Sequence, residues 1–154
     1  MKKPRYMEEL LKIIFLWLSI MFGIFGILGL IGIMKPKASS MVQDQILLGI
    51  IFSLVGMIFI IVSIILRTAV RKKDKLHNEL LISGRKIDGV VEKVYLQTYT
   101  QYGHQSPYVI MYTFTYGNKT YHHKSYFLWE KPDLMAGDSI MVYVNESGKS
   151  TILL

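Results

Sequence analysis

The sequence contains no cysteine. Disulfide staples, a thiol nucleophile and thiolate metal sites are therefore excluded in any compartment. Charge is missing from two long tracts: Ile13 to Met34 is 22 residues without an ionisable side chain, and Ile46 to Leu66 another 21. Proton and ion paths usually show ionisable residues inside membrane spans, so a stand-alone pump or carrier is disfavoured. The chain also lacks a Gly-x-Ser-x-Gly elbow, a Walker loop and a His-Glu-x-x-His helix, which makes an enzyme the minority reading and leaves no catalytic residue to name. Histidines 122 and 123 are adjacent, and neighbouring strand residues point to opposite faces, so they cannot converge on one metal ion. His77 and His104 show no ligand spacing either, and neither metal nor cofactor is expected. Glu130 and Asp133 lie in a Pro-containing loop, where charges serve mainly to keep the chain solvated.

What remains is strongly apolar. Of 154 residues, 51% are hydrophobic, and at 1.5 Å per residue each uncharged tract spans roughly 30 Å, the thickness of a bilayer core. Residues 13–34 and 46–66 are therefore expected to be transmembrane helices. A cleaved signal peptide fits the first tract poorly, because the run is too long and no small-x-small site closes it before Lys35. The formal net charge of +7 belongs to the membrane half. Glu79 to Leu154 holds seven basic and seven acidic residues, so that part is neutral and nucleic-acid binding by it is disfavoured.

The basic residues also suggest orientation. Four precede the first tract and five follow the second, against two in the connecting loop, which suggests a multi-pass membrane protein with both termini in the cytoplasm and the connecting loop outside. Trp17, near the inner end of the first span, suits an aromatic belt. No Pro or Gly interrupts the chain from Leu66 to Ser83, so the second span is expected to continue as a basic juxtamembrane helix ending at Gly84. Arg67, Arg71, Lys72, Lys73 and Lys75 form its membrane-surface cluster, a topology signal that could also hold anionic lipid head groups.

Glycines recur every third residue from Gly23 to Gly32, a step that winds around the helix. In the second span, Gly49, Ser53, Gly56 and Ser63 keep to one face. That face is expected to meet the first span around Gly26 and Gly29.

From Lys86 the period changes to two. Tyr108, Ile110, Tyr112, Phe114 and Tyr116 alternate with smaller or more polar residues, as in a half-buried strand. Gly117-Asn118 reads as a two-residue turn that sets Phe114 against Tyr121 and Tyr112 against His123. Strands are further expected in "KIDGVVEKVYL", "DSIMVYVN" and "STILL", with Gly89 a bulge or a point of close approach. The expected architecture is α+β: residues 1–78 a two-helix transmembrane hairpin, and residues 79–154 a small antiparallel β-barrel-like or meander domain.

Two membrane spans, a basic helix, "DGVVEKV", the hairpin "YTFTYGNKTY" and a late "AGDSIMVYVN" resemble the bacterial membrane proteins of domain-of-unknown-function family thirty-five ninety-two. The resemblance covers the last seventy or so residues, through Gly89, Val91, Phe114 to Tyr121 and Gly137 to Tyr143. It departs where family members often carry Asn-Pro and this chain has "NESGK". The resemblance implies membrane location and a small β domain, and no activity.

The polar connection "LQTYTQYGHQSPY" supplies the candidate recognition residues Tyr99, Tyr102 and His104, since tyrosine offers rigid amphipathic contact area. The expected function is a membrane anchor for a β domain that binds another protein or assembles with itself. The alternative is a membrane-associated enzyme or ligand sensor using an aromatic pocket among Tyr112, Tyr121 and His123.

Overall fold

The computed structural model describes residues 3–33 and 44–153. Two helices, α1 (Met7–Leu30) and α2 (Gln45–Ser83), precede five strands: β1 (Arg85–Leu96), β2 (Tyr108–Tyr116), β3 (Lys119–Lys124), β4 (Ser139–Val144) and β5 (Ser150–Ile152). The chain divides into two compact units, Glu8–Val70 on one side and Met1–Met7 with Arg71–Leu154 on the other.

In the first unit both helices are long and apolar enough to cross a membrane. Isoleucines and leucines cover their outward faces, the expected surface where lipid is the solvent. Trp17 stands on that outward surface. Asp44 caps α2, its Oδ1 accepting from the backbone N–H groups of Ile46 and Leu47, two of the donors a helix start leaves over.

The apolar tract predicted a span to Met34, yet α1 ends at Leu30. Gly32 adopts φ +82°, its N–H bonds to the Gly29 carbonyl and that of Ile33 to the Leu28 carbonyl. This is a Schellman cap, which needs a residue comfortable in the left-handed region. Residues 34–43, including the expected end of the first span at Met34, lie outside the described residues.

The helices run antiparallel, since contacts pair rising numbers in α1 with falling ones in α2. Phe15 meets Phe59, Phe22 meets Phe52 and Phe25 meets Phe52, with ring centroids 5.6, 5.7 and 6.1 Å apart. Beside these rings the backbones nearly touch. A Cβ on Gly29 would lie 2.6 Å from the Gly49 Cα, and one on Gly26 would lie 2.9 Å from the Ser53 nitrogen and collide with its Oγ. Ser63 donates a hydrogen bond from Oγ to the Lys12 carbonyl.

The second unit is built on a curled, five-stranded antiparallel half-barrel of order β3-β2-β1-β4-β5. Gly117 and Asn118, both with positive φ, make the turn whose twist suits a tight hairpin. The pairs Phe114↔Tyr121 and Tyr112↔His123 occupy the predicted register. The irregularity in β1 falls between Val91 and Lys93, leaving Glu92 as the extra residue. Gly89 is the close approach instead: a Cβ there would stand 2.6 Å from Val142 Cγ2 and 2.9 Å from the Thr113 carbonyl.

The inner face gathers Val91, Ile110, Tyr112, Phe114, Ile140, Val142, Val144 and Ile152 into one core. Alternation along β2 and β4 brings every second side chain to it. Helix α2 passes into β1 through Gly84, whose N–H bonds to the Leu80 carbonyl. Its φ is not in the left-handed region, and a Cβ would collide with that carbonyl. Close approach, rather than a left-handed cap, therefore requires glycine here.

Candidate functional site

The last turns of α2 present Lys73, Leu76, His77 and Leu80 at intervals of three and four, one face of a helix. His77 and Leu80 on that face are 7% and 3% exposed. Opposite them are Tyr112 from β2, Lys124 at the end of β3, and Ser150, Thr151 and Ile152 from β5. Together with Tyr6, Ser125 and Tyr126 these residues line an open cavity of about 360 Å³, at the small end of ligand-pocket sizes.

Its polar groups are ordered by one another. His77 Nδ1 lies 2.6 Å from Thr151 Oγ1, and its ring meets the Tyr126 ring edge-on at 5.4 Å. The Tyr112 hydroxyl is 3.0 Å from Ser150 Oγ, and His123 Nδ1 is 2.5 Å from the same Ser150 oxygen. Ser150 thus joins a side chain of β2 to one of β3 while standing on β5, so the half-barrel's two edge strands meet through side chains. Ser125 has both hydroxyl functions occupied, accepting from the Ile110 N–H and donating to the Tyr126 carbonyl.

Burial lowers the pKa of His77 below the ordinary imidazole value, and the positive charge of Arg5 lowers it further against a smaller opposing pull from Asp74. Burial alone lowers that of His123. Desolvation raises the Tyr112 phenol, partly offset by its bond to Ser150. Both imidazoles are accordingly neutral near pH 7.

The N-terminal segment completes the wall. Phe127 donates its backbone N–H to the Arg5 carbonyl at 2.9 Å, and Trp129 donates Nε1–H to the Pro4 carbonyl at 2.7 Å. The Arg5 guanidinium sits over the Tyr126 ring and the Lys73 ammonium over the Tyr6 ring, at 5.4 and 5.5 Å from the centroids. Such cation–π pairs hold both cations beside apolar surface.

The sequence-predicted residues are distributed more widely. Gly26, Gly29, Gly49 and Ser53 meet at the helix crossing, and a Cβ on Gly56 would lie 3.2 Å from the Gly23 backbone nitrogen. The basic cluster divides: Lys73 lines the cavity, Arg67 borders a hollow with Lys12 and Ser63, Arg71 and Lys72 are exposed, and Lys75 pairs with Glu79 at 3.6 Å. Tyr99 is 93% exposed. Tyr102 is edge-on to Trp129 at 5.9 Å, and exposed His104 sits in a second positive-φ turn with Gly103, closed by hydrogen bonds between Tyr102 and Gln105.

In the proposed aromatic pocket, Tyr112 lines the cavity while His123 reaches it only through Ser150. Tyr121 instead stacks on Phe114 at 5.2 Å and covers Gly148, where a Cβ would lie 2.6 Å from its ring. His122 turns to the other face, 2.7 Å from Glu92. Glu130 and Asp133 border different hollows. Among the described residues, no three His, Asp or Glu side chains are grouped to hold a metal.

Sequence reasoning missed His77 and Thr151. The available signal was the 73, 76, 77, 80 spacing of α2, but nothing local points to a partner 74 residues away. No family model, curated protein or solved structure matches the chain.

Proposed function

We propose that the protein is a membrane-anchored binding module, without catalysis, whose β unit holds a small ligand between α2 and the inner face of the sheet. One observation carries this reading: the cavity at His77, Tyr112 and Ser150 combines apolar walls with a few convergent polar groups, the usual make-up of a ligand site. The hairpin anchors the module in a bacterial inner membrane with the β unit in the cytoplasm, and the exposed cations Arg71 and Lys72 favour anionic lipid.

The test uses the full chain in neutral-lipid nanodiscs. Small anionic, cationic and apolar solutes are added, and amide exchange is followed at residues 76–80 and 150–152. Protection by one class, abolished by Ser150→Phe filling the cavity, is the expected result. If no class protects these segments, the ligand reading fails; saturable turnover of any solute would sink the non-catalytic one. Labelling of Ser147→Cys in intact and permeabilised cells reads the orientation. Reaction only after permeabilisation is expected, because the only thiol would lie inside.

A second reading is self-assembly through the β4–β5 side, favoured by the exposure of Met135, Met141 and Leu153. Met141 and Leu153 border one hollow with Pro132, Leu134 and Ile140, and the balanced charge of residues 79–154 lets a second copy approach without net repulsion. Disulfide-linked dimers of Met141→Cys in membranes would favour it. Purely monomeric chains would remove it.

A further inference from the structure

A hollow of about 300 Å³ lies between the two membrane helices, wholly within the unit Glu8–Val70. Helix α1 lines it with Lys12, Ile13 and Leu16, and α2 with Ile60, Ser63, Ile64 and Arg67, steps of three and four that keep each set on one helix face. Ser63 donates to the Lys12 carbonyl at 3.2 Å, which pins the helices together beside the hollow.

The lining changes character along the helix axes. Lys12 immediately precedes the apolar tract of α1, and Arg67 immediately follows that of α2. In an antiparallel pair both cations therefore stand at the same end, where apolar spans meet lipid head groups. Ile13, Leu16, Ile60 and Ile64 continue inward from them and are 37–57% exposed. Charge at the outer end and hydrocarbon beyond it is the order of parts in a phospholipid.

Neither cation is committed within the protein. Among the described residues no ion pair or hydrogen bond engages the Lys12 ammonium or the Arg67 guanidinium, while Glu8 and Glu9, one turn earlier on α1, are engaged elsewhere. No carboxylate borders the hollow among the described residues. Lys12 is half-buried and Arg67 is exposed. With its own proton on the Lys12 carbonyl, Ser63 leaves an incoming anion to the two cations.

We infer that this hollow seats one anionic phospholipid, its phosphate bridging Lys12 and Arg67 and an acyl chain lying over Ile13, Leu16, Ile60 and Ile64. A phosphate offers oxygens to both donors at once, and charge-assisted bonds of this kind are the strong ones. A groove between two helices touches the acyl chain on both sides, which a convex helix face does not. Basic pockets between transmembrane helices are a recurrent seat for lipid head groups. The site is separate from the β-unit cavity, so its failure would leave the ligand reading of that cavity untouched.

The test takes full-length protein extracted from nanodiscs of equal phosphatidylcholine and phosphatidylglycerol, and counts the lipid retained per chain by native mass spectrometry. Retention of a single phosphatidylglycerol, in preference to phosphatidylcholine, is expected. Lys12→Gln and, separately, Arg67→Gln should each weaken retention about tenfold, the worth of one charge-assisted hydrogen bond. Lys72→Gln, an exposed position further along α2, should leave it unchanged. Ile60→Trp fills the inner part of the hollow and should remove the lipid, while a disulfide between Phe22→Cys and Phe52→Cys still forms and shows the hairpin intact.

Equal loss in the Lys12, Arg67 and Lys72 variants would overturn the site in favour of diffuse surface attraction. Retention of both lipids alike, of neither, or of phosphatidylglycerol undiminished in Ile60→Trp would overturn it too. If Ile60→Trp splays the helices, the Lys12 and Arg67 variants, which alter no packed apolar group, decide the outcome.

Discussion

The two units solve packing in opposite ways. The transmembrane pair comes together where side chains are missing: Gly29 lies against Gly49 and Gly26 against Ser53, with backbone almost on backbone. The β unit comes together where side chains are large, around Tyr112 and Ile110, each 1% exposed or less. In lipid no hydrophobic force distinguishes a neighbouring helix from acyl chains, so close backbone approach and dispersion must supply the attraction. In water the removal of apolar area supplies it. Adding atoms should therefore break one unit, and deleting atoms the other.

The largest effect is expected from Gly29→Leu, because no rotamer avoids a Cβ placed 2.6 Å from a backbone atom. Disulfide formation between Phe22→Cys and Phe52→Cys, convenient in a cysteine-free chain, should then disappear. Retention of that crosslink at its normal rate would contradict backbone-limited packing. Ile110→Ala should come next, costing the β unit about 2–5 kcal/mol through lost burial and a residual cavity. Urea unfolding followed by tyrosine fluorescence would measure it, while the Phe22–Phe52 crosslink should be unaffected.

A smaller loss is expected from pH. His77 and His123 have folded pKa values below the unfolded value of about 6.5, so the unfolded chain binds more protons as pH falls through that value. Their contribution is fully present above the unfolded pKa and is lost as pH drops through it toward the lower folded values. The β-unit melting temperature should thus be lower at pH 5 than at pH 7.5, by less in His77→Gln; an unchanged pH dependence would contradict the burial of this imidazole. Tyr112→Phe removes one hydroxyl bond and should cost about 1 kcal/mol. Smallest of all is Gly23→Ala, since a Cβ there meets nothing within 4 Å. Altered crosslinking in that variant would show that the contrast between Gly23 and Gly29 is drawn wrongly.

Legibility in the sequence followed the range of each interaction. The β2–β3 register was readable because Gly117-Asn118 fixes it locally, and the small-residue face of α2 was readable because its spacing repeats within one helix. Gly32 reads in the sequence only as the last of a glycine series; its role as a cap emerges from the hydrogen bonds of Gly32 and Ile33. The cavity was hidden for a different reason. Pro4 and Arg5 bond to Trp129 and Phe127, and His77 to Thr151, across separations that leave no periodic trace. The Tyr-rich connection drew attention by composition, yet Tyr102 is engaged with Trp129 and the tyrosine that lines the cavity from the sheet is Tyr112, inside a strand.

Strand β3 forms one edge of the sheet, with Lys119 and Lys124 at its two ends. Were two such edges to join antiparallel about their common centre, each Lys119 would stand across from the other chain's Lys124. Like charges directly opposite destabilise a ladder, and charged edge residues are a recognised guard against sheet-to-sheet growth. The hairpin that borders the cavity thereby also resists pairing edge to edge with a second copy of itself.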